Sequence, residues 1–341
     1  MEWHRFTEPL SSRSRLAVPV AVALAAWVVL PVAQAESTVG AEAIPRATKD
    51  VDLTMSPDPV AMAPGGTGVQ NLKVINSGET DFAGPFAVTY VTPTYVNVDH
   101  TKPLPAGCEM RLTDPDPTIP EVVTCRITEP IAAGKDLSVG IPVTATTRVR
   151  FVGRVRGLAI AAPATESGHA DIDLGDNWNV AAVTVTRPTP NSPAGNQIDL
   201  YDTNTTPALS DDKPDAVTIT YGNKGPEDMR GNTQITYVTP FYVNVDHNKP
   251  LPDGCKMRLV DPDPLVPEIV VCTLEPLKAN TTATVAIPLQ LVPSAPLGLL
   301  TGSCHVAPPT VDPVVDVERS QVDNVVPCNV VNINPPPAAS E

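Results

Sequence analysis

Residues Tyr90 to Ile127 and Tyr237 to Leu274 are nearly the same sequence at a constant offset of 147, so the chain carries one structural unit twice. Both copies read Tyr-Val-Thr-Pro, Tyr-Val-Asn-Val-Asp-His, Lys-Pro-Leu-Pro, Gly-Cys, Met-Arg-Leu, Asp-Pro-Asp-Pro, Pro-Glu and a second cysteine. That period is the size of a whole domain, far longer than the repeat of a solenoid, and predicts tandem domains. A unit of this length can bury enough of its unfolded surface to sustain its own core.

Aligning the copies yields strands that each copy supports independently. They are Val51–Thr54 with Ile198–Tyr201, Val69–Ile75 with Ala216–Tyr221, Phe86–Val91 with Gln234–Val238, and Tyr95–Val98 with Tyr242–Val245. Glu121–Ile127 with Glu268–Leu274 and Leu137–Val143 with Ala283–Leu289 follow. Arg154–Ala161 with Leu299–Val306 and Asn179–Thr186 with Val325–Ile333 close each unit. Asn76-Ser77-Gly78 and Asn223-Lys224-Gly225 mark corners, because Asn and Gly tolerate tight turns. No later stretch has sustained helical periodicity. Short strands broken by Gly and Pro predict an all-β chain of two tandem immunoglobulin-like antiparallel β-sandwiches.

The expected boundaries are a signal peptide at 1–35, a leader at 36–50, a first domain at 51–187, a linker at 188–197, a second domain at 198–334 and a disordered tail at 335–341. The N-terminus carries Arg5, Arg13 and Arg15, the apolar run Leu16 to Val32, and Ala33-Gln34-Ala35, which has the form of a cleaved secretory signal. An uncleaved anchor is the alternative, but Pro19 and Pro31 interrupt a run of marginal length. Export to the outside of the cell is therefore expected, with no membrane insertion after cleavage. The prolines between Arg187 and Gln197 favour extended geometry and predict a semi-rigid spacer that holds the domains apart.

All six cysteines follow the signal, as in proteins of oxidising compartments. Six cysteines allow fifteen pairings. The repeat favours bridges local to each copy, Cys108 with Cys125 and Cys255 with Cys272, each stabilising by about 3 kcal/mol in the chain-entropy model. Cys304 and Cys328 then pair by elimination across the last two strands, where the first copy has Ala159 and Ala181 near the corresponding places. A metal site has no Cys-x-x-Cys or Cys/His spacing to support it.

The formal charge is −15, and the signal region is itself slightly basic, so the exported part is more acidic still. Nucleic acid and anionic membrane both require a basic face and are not expected partners. Solubility accounts for the charge without a dedicated acidic binding face.

The order of features resembles the bacterial extracellular immunoglobulin-like repeats of the domain-of-unknown-function and CARDB-like adhesion groups. The residues that carry the likeness are the opening Asp52-Leu53 and Asp199-Leu200, the corners Asn76–Gly78 and Asn223–Gly225, a cysteine pair across a hairpin, the turn Glu129–Gly134 into Ile141–Val143, and the Asp-Asn steps Asp176-Asn177 and Asp323-Asn324. The Lys-Pro-Leu-Pro and Asp-Pro-Asp-Pro loops depart from that pattern. The resemblance implies an extracellular adhesive, spacer or binding module, brings no catalytic residues, and points to an extracellular protein or glycan as partner.

Several chemistries can be weighed on the residues. Asp99-His100 and Asp246-His247 invite a base-catalysis reading, but adjacent residues on an extended strand face opposite ways, and no Gly-x-Ser-x-Gly elbow accompanies them. Asp114-Pro115-Asp116-Pro117 and Asp261-Pro262-Asp263-Pro264 supply too few oxygens for calcium and are explained as turns. Asp171, Asp173 and Asp176 form the better calcium candidate, although they lack the spacing and terminal Glu of an EF-hand. Lys73 would be needed for an isopeptide crosslink, but Leu72 and Val74 claim the inward face. Asn204 and Asn280 are glycosylation sequons only in a eukaryotic host. No cofactor is expected. The candidate partner-binding loops contain Tyr95, His100 and Lys102 in the first copy and Tyr242, His247 and Lys249 in the second. A secreted non-enzymatic binding or spacer module is the leading expectation; a purely structural envelope protein and a secreted hydrolase are the alternatives.

Overall fold

The structure, a computed structural model, describes residues 49–147, 153–186, 196–293, 295–308, 316–321 and 323–334. The signal peptide, the tail, and nearly all of the expected leader and linker lie outside the described residues.

The first copy contains β1 (Lys49–Val51), β2 (Leu53–Pro57), β3 (Val60–Met62), β4 (Thr67–Asn76), β5 (Phe86–Val91), β6 (Val96–Val98), β7 (Cys108–Leu112), β8 (Val122–Ile127), β9 (Asp136–Ala145), β10 (Gly153–Pro163), β11 (His169–Asp171) and β12 (Trp178–Val185). The second contains β13 (Asn196–Ile198), β14 (Leu200–Asn204), β15 (Ala208–Leu209), β16 (Asp215–Asn223), β17 (Thr233–Val238), β18 (Val243–Val245), β19 (Cys255–Leu259), β20 (Ile269–Leu274), β21 (Thr281–Leu291), β22 (Gly298–Ala307), β23 (Asp316–Glu318) and β24 (Val325–Asn332).

Each copy is a sandwich of a four-stranded and a six-stranded sheet. The orders are β2-β4-β9-β6 over β3-β12-β10-β5-β8-β7, and β14-β16-β21-β18 over β15-β24-β22-β17-β20-β19. Alternation builds the four-stranded sheets: in β4, Leu72 and Val74 are fully buried while Lys73 between them is not. The inward residues of both sheets form a separate core in each copy, around Tyr90, Phe86, Leu72 and Ile141 in the first and Tyr237, Leu200, Ile219 and Ile287 in the second. The expected strands are all present. Short parallel additions, β1 on β11, β3 on β12 and their counterparts β13 on β23 and β15 on β24, were not foreseen.

The corner asparagines work differently from the expectation of a permissive turn residue. Asn76 is completely buried, and its amide donates to the Thr80 and Ile131 carbonyls while its oxygen accepts the Gly78 N–H. Asn223 repeats this with Glu227, Leu277 and Gly225. The side chains pin the corner to the segments that lead into β9 and β21.

All three disulfides join the expected partners, each within one copy. Cys108 faces Cys125 directly across β7 and β8, as Cys255 faces Cys272 across β19 and β20. The registers also fix the missing bridge: Tyr90 pairs with Ala159 where Tyr237 pairs with Cys304, and Gly157 pairs with Ala181 where Gly302 pairs with Cys328. Ala159 and Ala181 are therefore the structural equivalents of the third cystine.

The sandwiches are not held apart, which corrects the spacer expectation for the linker. They belong to one compact unit. A third buried cluster joins them: Val91, Val122, Leu158 and Ile160 from the outer face of the first six-stranded sheet meet Val238, Phe241, Val266 and Ile269 of the second copy. This explains why every residue of β5 and of β17 is buried although each strand lies in a two-layer sandwich. A strand covered on both faces reads as a continuous run. Burial of an apolar sheet face outweighs the stretching tendency of a few prolines, since each large side chain removed from water contributes roughly 1.5–3 kcal/mol.

Candidate functional site

The duplicated loops between β6 and β7, and between β18 and β19, are built on a buried glutamate. Glu121 is 1% exposed; its Oε2 accepts the Val98 N–H at 2.7 Å and its Oε1 lies 2.9 Å from His100 Nε2. Glu268 does the same with Val245 at 2.6 Å and His247 at 2.9 Å. The Thr92 and Thr239 hydroxyls accept the N–H groups of these glutamates. The histidines thus pair with a carboxylate 21 residues away and not with the adjacent aspartate, as the alternation of strand side chains requires.

Asp99 and Asp246 instead cap the turn that follows. Asp99 Oδ1 accepts from Thr101 Oγ1 at 2.6 Å and from its N–H at 3.1 Å, and Lys102 Nζ stands 3.5 Å from Oδ2. The Thr101 hydroxyl, with the Thr101 amide and Lys102, holds the Asp99 carboxyl below the usual range against the opposing effect of burial. At Asp246 burial opposes, and the Asn248 amide and Lys249, 3.4 Å away, outweigh it. The loops then turn through Gly107 and Gly254, at φ of 79° and 80°, whose carbonyls accept from Arg126 and Thr273. A Cβ at either glycine would collide with the neighbouring backbone, which explains the Gly before each cysteine.

Each loop therefore has a rigid base and an open rim. His100, Lys102, His247 and Lys249 are each about half exposed. Beside the first loop lies an open groove of about 610 Å³, bounded by Pro105, Gly107, Arg126, Glu129, Ser138 and Gly140. Tyr95 and Tyr242 do not belong to this rim, contrary to expectation. Tyr95 is 8% exposed and packs into the first core, and Tyr242 packs against the cluster between the sandwiches. Both adopt left-handed backbone, φ 68° and 63°. Burial pushes both phenols up, Tyr242 to about 12, helped by nearby carboxylates that include Glu318 for Tyr95 and Asp171 for Tyr242. Each carboxylate belongs to the opposite sandwich.

The Asp-Pro-Asp-Pro loops, read in the sequence as turns, lie at the junction. Asp114 and Asp261 each use Oδ1 to accept the N–H of the next aspartate at 2.9 Å, and turn Oδ2 toward an arginine of the other sandwich. Arg258 pairs with Asp114, and Arg111 with Asp261 at 3.3 Å. Gln234 Nε2 donates to Thr118 Oγ1 at 2.7 Å and the Thr89 hydroxyl to the Leu265 carbonyl at 3.2 Å across the same boundary.

Asp171, Asp173 and Asp176 do not converge on one point. Asp171 Oδ2 accepts the Leu53 N–H and the Asn177 amide, Asp176 Oδ2 accepts the Thr54 hydroxyl, and Asp173 Oδ1 accepts the Gly175 N–H. Among the described residues no group of three or more His, Cys, Asp or Glu side chains could hold a metal ion. The equivalent of Asp171 is Glu318, a residue the sequence reading missed. Glu318 accepts the Leu200 N–H and the Asn324 amide, as Asp171 accepts those of Leu53 and Asn177. Both acids stand six residues before an asparagine, and that spacing was the available signal. Burial pushes the Asp171 carboxyl up to about 6 and that of Glu318 up to about 8.

Two other buried groups were missed. Asp202 is 2% exposed, neither of its carboxylate oxygens has a partner among the described residues, and burial with Asp323 nearby raises it well above the ordinary range. His305, on β22 in register with Thr236 and Val325, bonds Ser303 Oγ at 2.9 Å and is pulled down to about 4 by burial.

No family model matches the chain, and no curated protein matches it. Among solved structures it is similar to the solution structure of CaCohA2 from Clostridium acetobutylicum, at 13% identity over 42% of this chain and 96% of that one, with a TM-score of 0.29. The crystal structure of a complex of CaCohA2 with a variant of CaDoc0917 gives 13% identity over 39% and 99%, with a TM-score of 0.27. Red sea bream transglutaminase gives 12% identity over 82% of this chain and 31% of the enzyme, with a TM-score of 0.24. At these values no binding partner or activity carries over.

Proposed function

We propose that the chain is a secreted, non-enzymatic module that binds an extracellular protein or glycan. The observation that carries this reading is the first duplicated loop: its base is fixed by a buried Glu121, a turn cap at Asp99 and a cystine, while its rim opens onto the groove beside Arg126. A loop ordered in advance loses little entropy when it docks. Three disulfides among the described residues suit an oxidising compartment, and the N-terminal segment has the form of an export signal. The imidazoles are tied to Glu121 and Glu268, so they serve as anchors of the loops in this reading and not as bases.

The test is an array of extracellular glycans and envelope proteins probed with the exported chain and with a Lys102→Ala, Arg126→Ala, Lys249→Ala variant. A ligand held by the parent and lost by the variant, at unchanged melting temperature, supports the reading. A ligand held equally by both places recognition elsewhere, and no ligand at all leaves a structural role in the envelope as the better account.

A further inference from the structure

The junction between the sandwiches is twofold in its ion pairs and in part of its apolar cluster. Arg111 and Arg258 are equivalent residues, as are Asp114 and Asp261, so the pairs Arg258–Asp114 and Arg111–Asp261 are one contact made twice in opposite directions. Half of the shared apolar cluster follows suit: Val91 and Val238, Leu112 and Leu259, Ile119 and Val266, and Val122 and Ile269 are equivalent pairs, and both members of each lie in it, whereas Leu158, Ile160 and Phe241 have polar residues at the equivalent places. Tyr95 near Glu318 and Tyr242 near Asp171 are related in the same way. Residue i of one body meeting j of the other while j meets i is the mark of an isologous interface, which ordinarily forms between two identical chains.

We propose that the face built on the six-stranded sheet is a self-recognising surface, and that the partner it fits, beyond the tethered half already seated on it, is a second copy of this chain. Each copy carries both the guanidinium and the carboxylate of the reciprocal pair. A first sandwich can therefore satisfy another first sandwich with two Arg111–Asp114 pairs, and a second can satisfy a second with two Arg258–Asp261 pairs. In the unaltered chain the tethered half wins, because the linker gives it an effective concentration in the millimolar range. Weakening the internal pairing shifts the choice toward a neighbouring chain.

Exchanging the two charges of one face supplies the test. In Arg258→Asp with Asp261→Arg, the internal pairing sets the introduced carboxylate against Asp114 and the introduced guanidinium against Arg111, whereas two chains that pair first sandwich with first and second with second give every charge on both faces an opposite partner. Sedimentation equilibrium of the full chain is expected to show dimerisation at concentrations at least roughly tenfold lower than for the parent. Arg111→Asp with Asp114→Arg should do the same from the other face, which provides an independent variant should one fold poorly. With all four exchanges in one chain the internal pairing is complementary again, and dimerisation should fall back. The proposal is overturned if both exchanged variants sediment like the parent, or if the chain with all four exchanges dimerises as readily as either of them.

Discussion

Asp202 is the place where the structure makes its sharpest energetic statement. It sits on β14 opposite Tyr221 with both oxygens buried and unpartnered among the described residues, at the position occupied in the first sandwich by Met55, which is 1% exposed. Burying an unpaired carboxylate is costly enough that the group holds its proton instead, and Asp323 nearby adds to that preference. The folded state then binds a proton that the unfolded state has released. Stability is present in full below the ordinary aspartate range and falls as pH climbs from there toward the raised folded value, by about 1.4 kcal/mol per pH unit. The isosteric change Asp202→Asn removes this proton and leaves the packing in place; methionine is a poorer test, because Tyr221 stands where the first sandwich has the smaller Val74. The variant and the parent should be nearly equally stable near pH 4. Above it the variant should gain about 1.4 kcal/mol per unit, equivalent to at least roughly 2–3 °C in Tm for a body of this size. Thermal melts followed by circular dichroism from pH 4 to pH 7 measure this difference. Parallel curves for the two proteins would refute the assignment of Asp202 as a buried, protonated acid.

Three further outcomes are expected. Introducing cysteines with Ala159→Cys and Ala181→Cys should form the bridge that the first sandwich lacks, adding about 3 kcal/mol and a pair of thiols that alkylate only after reduction, as mass spectrometry would show. The Tyr90 and Tyr237 hydroxyls are buried and have no partner among the described residues, so Tyr90→Phe and Tyr237→Phe should each raise stability by about 1 kcal/mol in urea titrations, and a loss of more than that would place an unseen acceptor beside the ring. Across the whole molecule stability should decline from pH 6.5 to pH 8, since Glu318 releases its proton from the folded state only near 8 while the unfolded chain does so near 4.5, a change on the order of 5 kcal/mol over its full window. His305 acts in the opposite sense, because its folded value is depressed, but only between about 4 and 6.5, so it does not offset the decline at higher pH.

The parts of the fold that were legible in the sequence are those set by local pattern. Alternation in Val69–Ile75 places Lys73 outward, and the duplicated cysteines at matched positions select local bridges; both need only neighbouring residues to be read. The union of the sandwiches was harder to see, because its ion pairs join residues 144 and 150 positions apart. An Asp-Pro-Asp-Pro tip looks like any solvated turn until its arginine is known. A signal was nonetheless present in Phe86–Val91 and Val122–Cys125, which run apolar or neutral on both faces where a sheet open to water would alternate. The loop site was partly legible. His100, Lys102, His247 and Lys249 are about half exposed on their loops, whereas Tyr95 and Tyr242 are turned into the protein. Glu121 and Glu268 were passed over because they sit far along the chain from the histidines they hold.

The two sandwiches form one body through their six-stranded sheets, and each of the three disulfides stays within its own sandwich, one in the first and two in the second, so no covalent link other than the linker joins the halves. A specific protease site placed between residues 187 and 195, cut to completion in the otherwise unaltered protein, tests this directly by light scattering on a sizing column. One particle that holds both fragments in equal amounts and has their combined mass is the expected result. Two separate species, each carrying the mass of a single fragment, would contradict it.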